Sequence, residues 1–240
     1  MDLGLKDRVT LVTAGSAGLG YASAAAFAAE GARVAITGRN PRTLGAAAQR
    51  LRVDTGAEVL ELAGDITDAA EPARVVEAVV GAFGRLDVLV ANAGGPPPGR
   101  ALEVTDEQIL AAINANLLST VRLVRAATPY LAASGQGRIC AITSASVVQP
   151  IPELSLSNLS RVGLWGWAKT AAQELVSSGV TLNLICPGVH ATERMTSLGM
   201  SGRAGDPADF GRAVAFLCSS SAAYITGTTL VVDGGRTVGL

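Results

Sequence analysis

Short apolar runs alternate with longer segments of helical periodicity along the whole chain. The short runs are rich in Val, Leu and Ile and end at Gly, Asn or Pro, which is typical of strands buried on both faces. The longer segments begin at capping residues, as where Thr105 and Gln108 form the capping-box pattern. The predicted strands are 9–13, 33–37, 58–62, 86–91, 138–143, 181–185 and 228–232. The predicted helices are 19–30, 41–52, 68–82, 117–133 and 157–177, with one more after 105–108 and one beginning at 206–207.

This alternation predicts an α/β fold. Parallel strands joined by helices form right-handed crossovers, so the helices cover both faces of the sheet. We therefore expect one Rossmann-type domain over 1–240, with a doubly wound sheet of seven parallel strands. Nothing in the chain reads as a linker, a repeat or a low-complexity tract.

Composition narrows the class of protein. Hydrophobic residues make up 49 % of the chain, enough for a sizeable core, and the formal net charge is only −1. Without a basic run we expect no nucleic-acid partner. Without a signal peptide, or an apolar stretch of about 18 residues, we expect no membrane partner and a cytoplasmic location. The cysteines Cys140, Cys186 and Cys218 are scattered, which predicts buried thiols and no metal site.

A glycine-rich turn joins the first strand to the first helix. Glycines let a backbone approach a diphosphate closely, and a helix N-terminus offers N–H groups and the positive end of its dipole. A purely structural glycine turn is the alternative. The residues of the turn with a predicted binding role are Gly15, Ser16, Gly18, Leu19 and Gly20.

The turn resembles the T-G-x-x-x-G-x-G motif of the short-chain dehydrogenase/reductase family, and the resemblance spans nearly the whole chain. Ala14 departs from it, because it replaces the first glycine of the motif; where φ is positive, alanine costs roughly 1–2 kcal/mol unless Gly15 takes up the strain. The resemblance implies a dinucleotide cofactor, a small-molecule substrate and a homodimer or homotetramer. Further matches follow in the family's order: Asp65-Ile66, Asn92-Ala93-Gly94, Asn116, Ser144, Pro187-Gly188 with Thr192, Tyr224-Ile225-Thr226-Gly227 and Val232-Asp233-Gly234-Gly235.

The second strand bears on the choice of dinucleotide. No carboxylate stands at its tip, whereas Arg39 follows directly, with Arg42 nearby. A guanidinium suits the 2′-phosphate, so we expect NADP(H) rather than NAD(H). The alternatives are that Arg39 is a solvated loop charge and that Asp65 caps local N–H groups. By resemblance, the remaining cofactor-binding residues are Asp65, Ile66, Asn92, Ala93, Gly94, Arg161, Pro187, Gly188 and Thr192.

The catalytic positions depart most from the family. Ser144 and Asn116 match its serine and asparagine, but its Tyr-x-x-x-Lys pair is replaced by Ser157 and Arg161. A serine hydroxyl is a much weaker acid than a tyrosine beside a cation. Arg161 can hold the nicotinamide ribose, but it cannot relay a proton. An alternative for Ser157 is a helix residue without a catalytic part.

Substitute acids are His190, the only histidine, and Glu153, in the loop before Ser157. For each, an exposed or non-catalytic side chain is the alternative. Three prolines at 96–98 form either a pocket wall or a surface turn, and the segment at about 189–205 predicts a short substrate lid. Trp165 or Trp167 either anchors a subunit interface or is buried within one subunit.

The leading hypothesis is an atypical NADP(H)-dependent oxidoreductase, similar to the ketoacyl-reductase-like branch, that acts on a carbonyl or an alcohol. Two alternatives stay open. One is a nucleotide-binding pseudoenzyme or oligomeric partner, and the other is a non-redox acid–base enzyme of the dehydratase or isomerase type.

Overall fold

A computed structural model describes residues 2–199 and 202–238, and it contains all seven predicted strands in one parallel sheet. The strands are β1 (Val9–Val12), β2 (Arg33–Gly38), β3 (Val59–Ala63), β4 (Val88–Ala91), β5 (Arg138–Ile142), β6 (Thr181–Pro187) and β7 (Thr229–Val232). Their order is β3-β2-β1-β4-β5-β6-β7. Successive strands are added on one side of β1 up to β3 and on its other side from β4 onward. The strand order therefore switches between β1 and β4, and a crevice forms there at the carboxyl ends of the strands.

Eight α-helices connect the strands of the described chain. They are α1 (Gly18–Ala29), α2 (Pro41–Thr55), α3 (Glu71–Phe83), α4 (Asp106–Ile113), α5 (Ser119–Ala133), α6 (Ser155–Leu175), α7 (Glu193–Ser197) and α8 (Pro207–Leu217). The short α7 lies in the predicted lid segment and was not foreseen as a helix. Helix α6 begins at Ser155, two residues before its predicted start. A π-helical turn, Asn114–Leu118, joins α4 to α5.

Helices cover both faces of the sheet, and two apolar clusters form the core. Helices α3, α5 and α6 pack on one face, and α1, α2 and α8 pack on the other. Small residues let α1 and α8 approach closely: a Cβ added at Gly211 would lie 2.3 Å from the carbonyl oxygen of Ala22. The doubly wound α/β fold is thus confirmed, and the abundant Ala and Gly serve its close packing.

The helical run Asp106–Ala133 corrects one expectation from the sequence. It is long and apolar enough to meet the length and composition of a membrane span, with a mean hydropathy of 1.2. Its apolar residues are in part core residues, because Leu123, Ala127 and Leu131 are fully buried against the sheet.

The three cysteines are buried free thiols, as predicted. Across residues 2–199 and 202–238, no group of three or more His, Cys, Asp or Glu side chains is arranged to hold a metal ion.

Candidate active site

The turn between β1 and α1 lies at the crevice and requires glycine at several positions. A Cβ added at Gly15 would lie 2.9 Å from Cγ2 of Ile36, and one added at Gly20 would lie 2.2 Å from the carbonyl oxygen of Ala14. Gly18 has a φ of 55°, in the left-handed region. Helix α1 has no side-chain cap and no acidic residue in its first turn, so its first N–H groups and its dipole can receive an anion. The turn therefore fits a diphosphate.

The strain predicted for this turn falls on Ala14 itself. Ala14 has a φ of 47°, whereas Gly15 does not have a positive φ, so the suggestion that Gly15 takes up the strain is wrong. Two contacts hold the strained peptide in place. The N–H of Ala14 donates to Oγ1 of Thr37 at 3.2 Å, and its carbonyl oxygen accepts from Nδ2 of Asn92 at 3.3 Å.

We expect Ala14→Gly to raise the free energy of unfolding by about 0.5–1 kcal/mol, since glycine removes the left-handed strain but adds entropy to the unfolded chain. The melting temperature should rise by roughly 1–4 °C in a thermal unfolding scan. Ala17→Gly is the matched control. Ala17 has a φ of −157°, which any residue adopts, so its replacement should lower the melting temperature. A loss of stability in Ala14→Gly equal to that of the control would contradict the strain.

Asn92 fastens the end of β4 to this turn. Its backbone N–H donates to Oγ1 of Thr13 at 2.9 Å, and that hydroxyl donates to the Asn92 carbonyl oxygen at 2.7 Å. With the Asn92 amide on Ala14, three hydrogen bonds join the two strand ends. Ala93 packs against the core and Gly94 is exposed at the crevice. The Asn-Ala-Gly segment therefore fixes the shape of the turn.

Arg39 stands at the tip of β2, where the sequence placed it. Its side chain is exposed and forms neither a hydrogen bond nor an ion pair with the described residues. Ser16 lies beside it: a Cβ added at Gly38 would be 3.1 Å from the Ser16 hydroxyl oxygen. Asn40 accepts N–H groups of Arg42 and Thr43 and caps α2. A hydroxyl and a guanidinium therefore flank the end of β2.

Asp65 and Ile66 follow β3, on the same side of the crevice. An Asp65 carboxylate oxygen accepts the N–H of Thr67 at 3.0 Å, which is the local capping interaction considered from the sequence. The Ile66 side chain is 9 % exposed and belongs to the core. If Ile66 contacts a cofactor, the contact would therefore be made by the Ile66 backbone.

Ser144, Ser157 and Arg161 surround the carboxyl end of β5. The Ser144 oxygen accepts the N–H of Ser146 at 3.1 Å, so its own proton remains available. The Ser157 oxygen accepts Nε–H of Arg161 at 3.2 Å, and Nη1 of Arg161 donates to the carbonyl oxygen of Ile142 at 3.0 Å. The structure thus places the two replacing residues in direct contact.

Asn116 lies in the π-helical turn between α4 and α5, a local geometry that is frequent at functional sites. It is 1 % exposed, and its Nδ2 donates to the carbonyl oxygen of Ala112 at 3.3 Å. Its Oδ1 is buried and has no hydrogen-bond partner among the described residues. A buried acceptor of this kind calls for a donor, such as the bridging water that the resemblance implies at this position.

Arg161 carries its charge in an enclosed place. The side chain is 7 % exposed, and it takes part in no ion pair with the described residues. Burial, and next the repulsion from Arg194, lower the pKa of Arg161 to about 10. It stays protonated at neutral pH. Arg161 is therefore an enclosed cation with two of its donors engaged and no ion-pair partner in the part of the chain that the structure describes.

His190 and Glu153, the substitute acids considered from the sequence, lie in different surroundings. His190 is 6 % exposed, so the prediction of a side chain turned to solvent is wrong. It packs edge-on against Phe210 with ring centroids 5.2 Å apart, lies under Gly205 and donates from Nδ1 to the carbonyl oxygen of Gly188 at 3.2 Å. Glu153 is exposed. Their role as substitute acids stays a prediction.

The segment after β6 closes the crevice from above. A Cβ added at Gly18 would lie 3.8 Å from Cβ of Thr192, so Thr192 stands over the phosphate turn. Gly188 follows Pro187 and lies against Asp233: a Cβ added at Gly188 would lie 2.5 Å from Cβ of Asp233. Thr192 is thus brought to the phosphate turn, and the cofactor-binding roles of Pro187, Gly188 and Thr192 stay predictions.

Arg194, on α7, is a site residue that the sequence did not reveal. Its Nη2 donates to the carbonyl oxygen of Pro96 at 2.6 Å, and its guanidinium covers Gly95, where an added Cβ would lie 2.9 Å from Nη2. The contact joins residues 98 positions apart in the chain. Of the three prolines, Pro96 is buried whereas Pro97 and Pro98 are exposed, so the segment forms a surface turn with its first proline turned inward.

Comparison with known proteins agrees with this geometry. The family model described as enoyl-(acyl carrier protein) reductase matches residues 13–237. The chain is 34 % identical to the 3-oxoacyl-[acyl-carrier-protein] reductase FabG of Escherichia coli, over 97 % of this chain and 98 % of that protein. Its structure is similar to that of L-sorbose reductase from Gluconobacter frateurii, solved with NADPH and L-sorbose, with a TM-score of 0.94, 31 % identity and full coverage of both chains. It is also similar to a short-chain oxidoreductase from Pseudomonas aeruginosa that contains an atypical catalytic center, with a TM-score of 0.93, 28 % identity and coverage of 99 % and 100 %.

Proposed function

The chain belongs to the short-chain dehydrogenase/reductase family, and on that premise we propose that it is an NADP(H)-dependent oxidoreductase acting on the carbonyl or alcohol group of a small molecule. The observation that carries the proposal is that two features lie along one crevice. One is the glycine turn at the uncapped N-terminus of α1, and the other is Ser144, whose hydroxyl can still donate a hydrogen bond. The 31 % identical relative solved with NADPH and a sugar substrate supports this cofactor and this class of substrate.

The turn around Gly18 would hold the diphosphate, and Arg39 with Ser16 would hold the 2′-phosphate. Arginine forms bidentate, charge-assisted hydrogen bonds with phosphate. Arg39 is exposed and forms no ion pair with a described carboxylate, so a phosphate could bind it without breaking an existing contact. Asp65, Asn92 and Thr192 border the same crevice. When bound, a nicotinamide dinucleotide supplies or accepts the hydride of such a reaction.

The protein's own part is orientation. The Ser144 hydroxyl is free to donate a hydrogen bond to the substrate oxygen, and this bond would hold the reacting group in place. Arg161 keeps both N–H groups of Nη2 for the nicotinamide ribose, because Nε–H and one N–H of Nη1 are engaged within the protein. Asn116 offers its buried Oδ1 to a water that carries protons in from solvent. Ser157 is too weak an acid to donate the proton itself.

A second candidate function is nucleotide binding without turnover. The hydrogen bond between Ser157 and Arg161 favours it, because neither partner can replace the proton donor of the family. In this case the crevice keeps its affinity for the dinucleotide, and the chain acts as a binding protein or as a partner in an oligomer.

We also propose a homo-oligomer and a cytoplasmic location. Trp165 is 38 % exposed and donates from Nε1 to Thr229 Oγ1 at 3.0 Å, so it lies beside the open edge of β7. Trp167, in contrast, packs against the core. A half-exposed tryptophan beside an unpaired edge strand suits an interface between copies.

The test is binding followed by turnover. NADPH at millimolar concentration should raise the melting temperature more than NADH does, and NADPH should be oxidised in the presence of a carbonyl panel. Ser144→Ala should lower kcat/KM about 10- to 100-fold by removing a hydrogen bond to the reacting oxygen. Ser146→Ala removes a neighbouring buried hydroxyl that has no hydrogen-bond partner among the described residues, so it should leave kcat/KM nearly unchanged. Binding without oxidation of NADPH would favour the second candidate, and no shift with either nucleotide would reject both.

A further inference from the structure

The lid touches both sides of the crevice. On the side of β1, Thr192 stands over the phosphate turn, where a Cβ added at Gly18 would lie 3.8 Å from Cβ of Thr192. On the side of β4, Nη2 of Arg194 donates to the carbonyl oxygen of Pro96 at 2.6 Å. Only one residue separates Thr192 from Arg194, so one short stretch of chain bridges the opening. A dinucleotide that reaches from the phosphate turn towards Ser144 would pass beneath this bridge.

The base of the lid is held independently of its tip. The N–H of Ala191 donates to the carbonyl oxygen of Gly205 at 3.0 Å, and the N–H of Gly205 donates to the carbonyl oxygen of Val189 at 3.0 Å. The His190 ring packs under the same glycine and against Phe210. Two backbone hydrogen bonds and a buried ring thus fasten the two ends of the lid to each other. The tip can therefore move without unfolding the base.

The tip is fastened by one polar contact. Helix α7 buries none of its side chains, so little apolar surface would be uncovered if it lifted. Arg194 forms no ion pair with a described carboxylate, and its guanidinium instead rests on the proline segment, 95–99. A Cβ added at Gly95 would lie 2.9 Å from Nη2 and 3.2 Å from Cζ of this arginine. The lid is therefore closed by a contact that can be released.

The proline segment is a firm partner for that contact, because its far end is tied to the chain before α6. The N–H of Gly99 donates to the carbonyl oxygen of Glu153 at 2.8 Å. The Gly99 carbonyl oxygen accepts the hydroxyl of Ser155 at 2.7 Å and the N–H of Ser155 at 3.2 Å. Three successive prolines between these ties also restrict the backbone. The proline segment is thus the fixed side of the contact, and the lid is the side that moves.

We propose that Arg194 latches the lid over the crevice, and that the nicotinamide dinucleotide enters and leaves when this arginine parts from Pro96. The inference rests on the proposed function and adds to it a device that sets the rate of cofactor exchange. Arg194 is a positioning residue, since it acts through the proline segment. Because the latch is a contact within the protein, its loss lowers the barrier to passage in both directions. Entry and release should both become faster, while the dissociation constant changes little.

Two substitutions open the latch from opposite sides. Arg194→Gln removes the guanidinium. Gly95→Ala keeps the arginine but places a methyl group 2.9 Å from its Nη2, so the flexible side chain has to leave its seat. Gly95 does not have a positive φ, so alanine suits its backbone. The matched controls are Arg212→Gln, an exposed arginine on α8 that pairs with Asp209, and Gly81→Ala, where an added Cβ meets nothing within 4 Å.

Stopped-flow fluorescence of NADPH gives the rates of entry and release. We expect both latch variants to raise the two rates about 3- to 30-fold, the effect of losing one hydrogen bond, and to keep the dissociation constant within about threefold. Both controls should match the unmodified chain. Amide hydrogen exchange at 195–198, measured on protein without added nucleotide, should also become faster in both latch variants, because a helix as short as α7 is not stable unless it is held down.

Unchanged rates in both latch variants would overturn the inference. A loss of NADPH affinity in Arg194→Gln, with normal rates in Gly95→Ala, would overturn it too, because that pattern assigns Arg194 to direct contact with the cofactor. If NADPH does not bind the unmodified chain, the proposed function has failed. Exchange at 195–198 then still decides whether Arg194 holds the lid down, so the two failures are distinguished.

Discussion

Ser157→Tyr combined with Arg161→Lys is expected to raise the kcat/KM of carbonyl reduction about 10²–10⁴-fold, the usual contribution of a positioned general acid. A tyrosine hydroxyl titrates near 10, and an adjacent ammonium lowers its pKa further, whereas a serine hydroxyl is not an acid at neutral pH. The measurement is the loss of NADPH absorbance with a carbonyl substrate at pH 7, for the double variant and the unmodified chain in parallel.

Both substitutions are needed, because the two residues are joined. Arg161 donates from Nε to Ser157 and from Nη1 to Ile142, and these bonds fix its planar group under the pocket. A tyrosine placed above a fixed guanidinium would gain a cation, but it would have no partner able to pass on a proton. Lysine has a flexible stem and three donors, so it can reach the phenol and the ribose together.

Two controls separate acid catalysis from packing. Ser157→Phe with Arg161→Lys fills the same space without a hydroxyl, so we expect no gain from it. Ser157→Tyr alone should gain less than the pair, because the arginine stays. A phenylalanine variant as active as the tyrosine variant would assign the effect to packing. A tyrosine variant that folds, binds NADPH and gains nothing would show that the position does not face the reacting group.

The sheet and the phosphate turn could be predicted from the sequence because both depend on local patterns. Strands buried on both faces are continuous apolar runs, as Val88–Ala91 illustrates, and their carboxyl ends meet at one edge of the sheet. Motifs that follow different strands, such as Asn92 and Ser144, are therefore brought to the same crevice by the topology alone. The Ala14 strain was also visible, since the motif expects glycine there, although only the structure shows that Gly15 does not absorb it.

Contacts between distant segments could not be predicted in this way. Arg194 is an ordinary lid arginine in the sequence, and its bond to Pro96 depends on how the lid folds over the end of β4. His190 is buried because Phe210 and Gly205 pack around it, and no pattern near residue 190 indicates this. The catalytic departure was visible as two substituted residues, Ser157 and Arg161. That Arg161 has no ion-pair partner between 2–199 and 202–238 could be seen only from the positions of the carboxylates.

Arg39→Asp is expected to lower the ratio of NADPH affinity to NADH affinity about 10²–10³-fold. The substitution removes a bidentate, charge-assisted contact with the 2′-phosphate, and it places a carboxylate where the phosphate would lie. The same carboxylate can accept hydrogen bonds from the 2′-hydroxyl of NADH, as the acidic residue does in NAD-binding sites of this fold. Folding should be unaffected, because Arg39 is exposed and bonded to no described residue.

Dissociation constants for the two nucleotides, measured by titration of the folded protein, check this ratio without any need for turnover. Arg39→Gln separates the two parts of the effect: loss of the cation should weaken NADPH binding, while NADH binding should not gain, since glutamine brings no negative charge. Salt offers a further check, because a phosphate held by a surface guanidinium is screened as ionic strength rises. The preference of the unmodified chain for NADPH should therefore shrink in high salt, and so should the part of the Arg39→Asp effect that comes from repulsion between the new carboxylate and the 2′-phosphate. If Arg39→Asp keeps the original ratio, the 2′-position of the cofactor does not lie at the tip of β2, and the choice of NADP(H) must be abandoned.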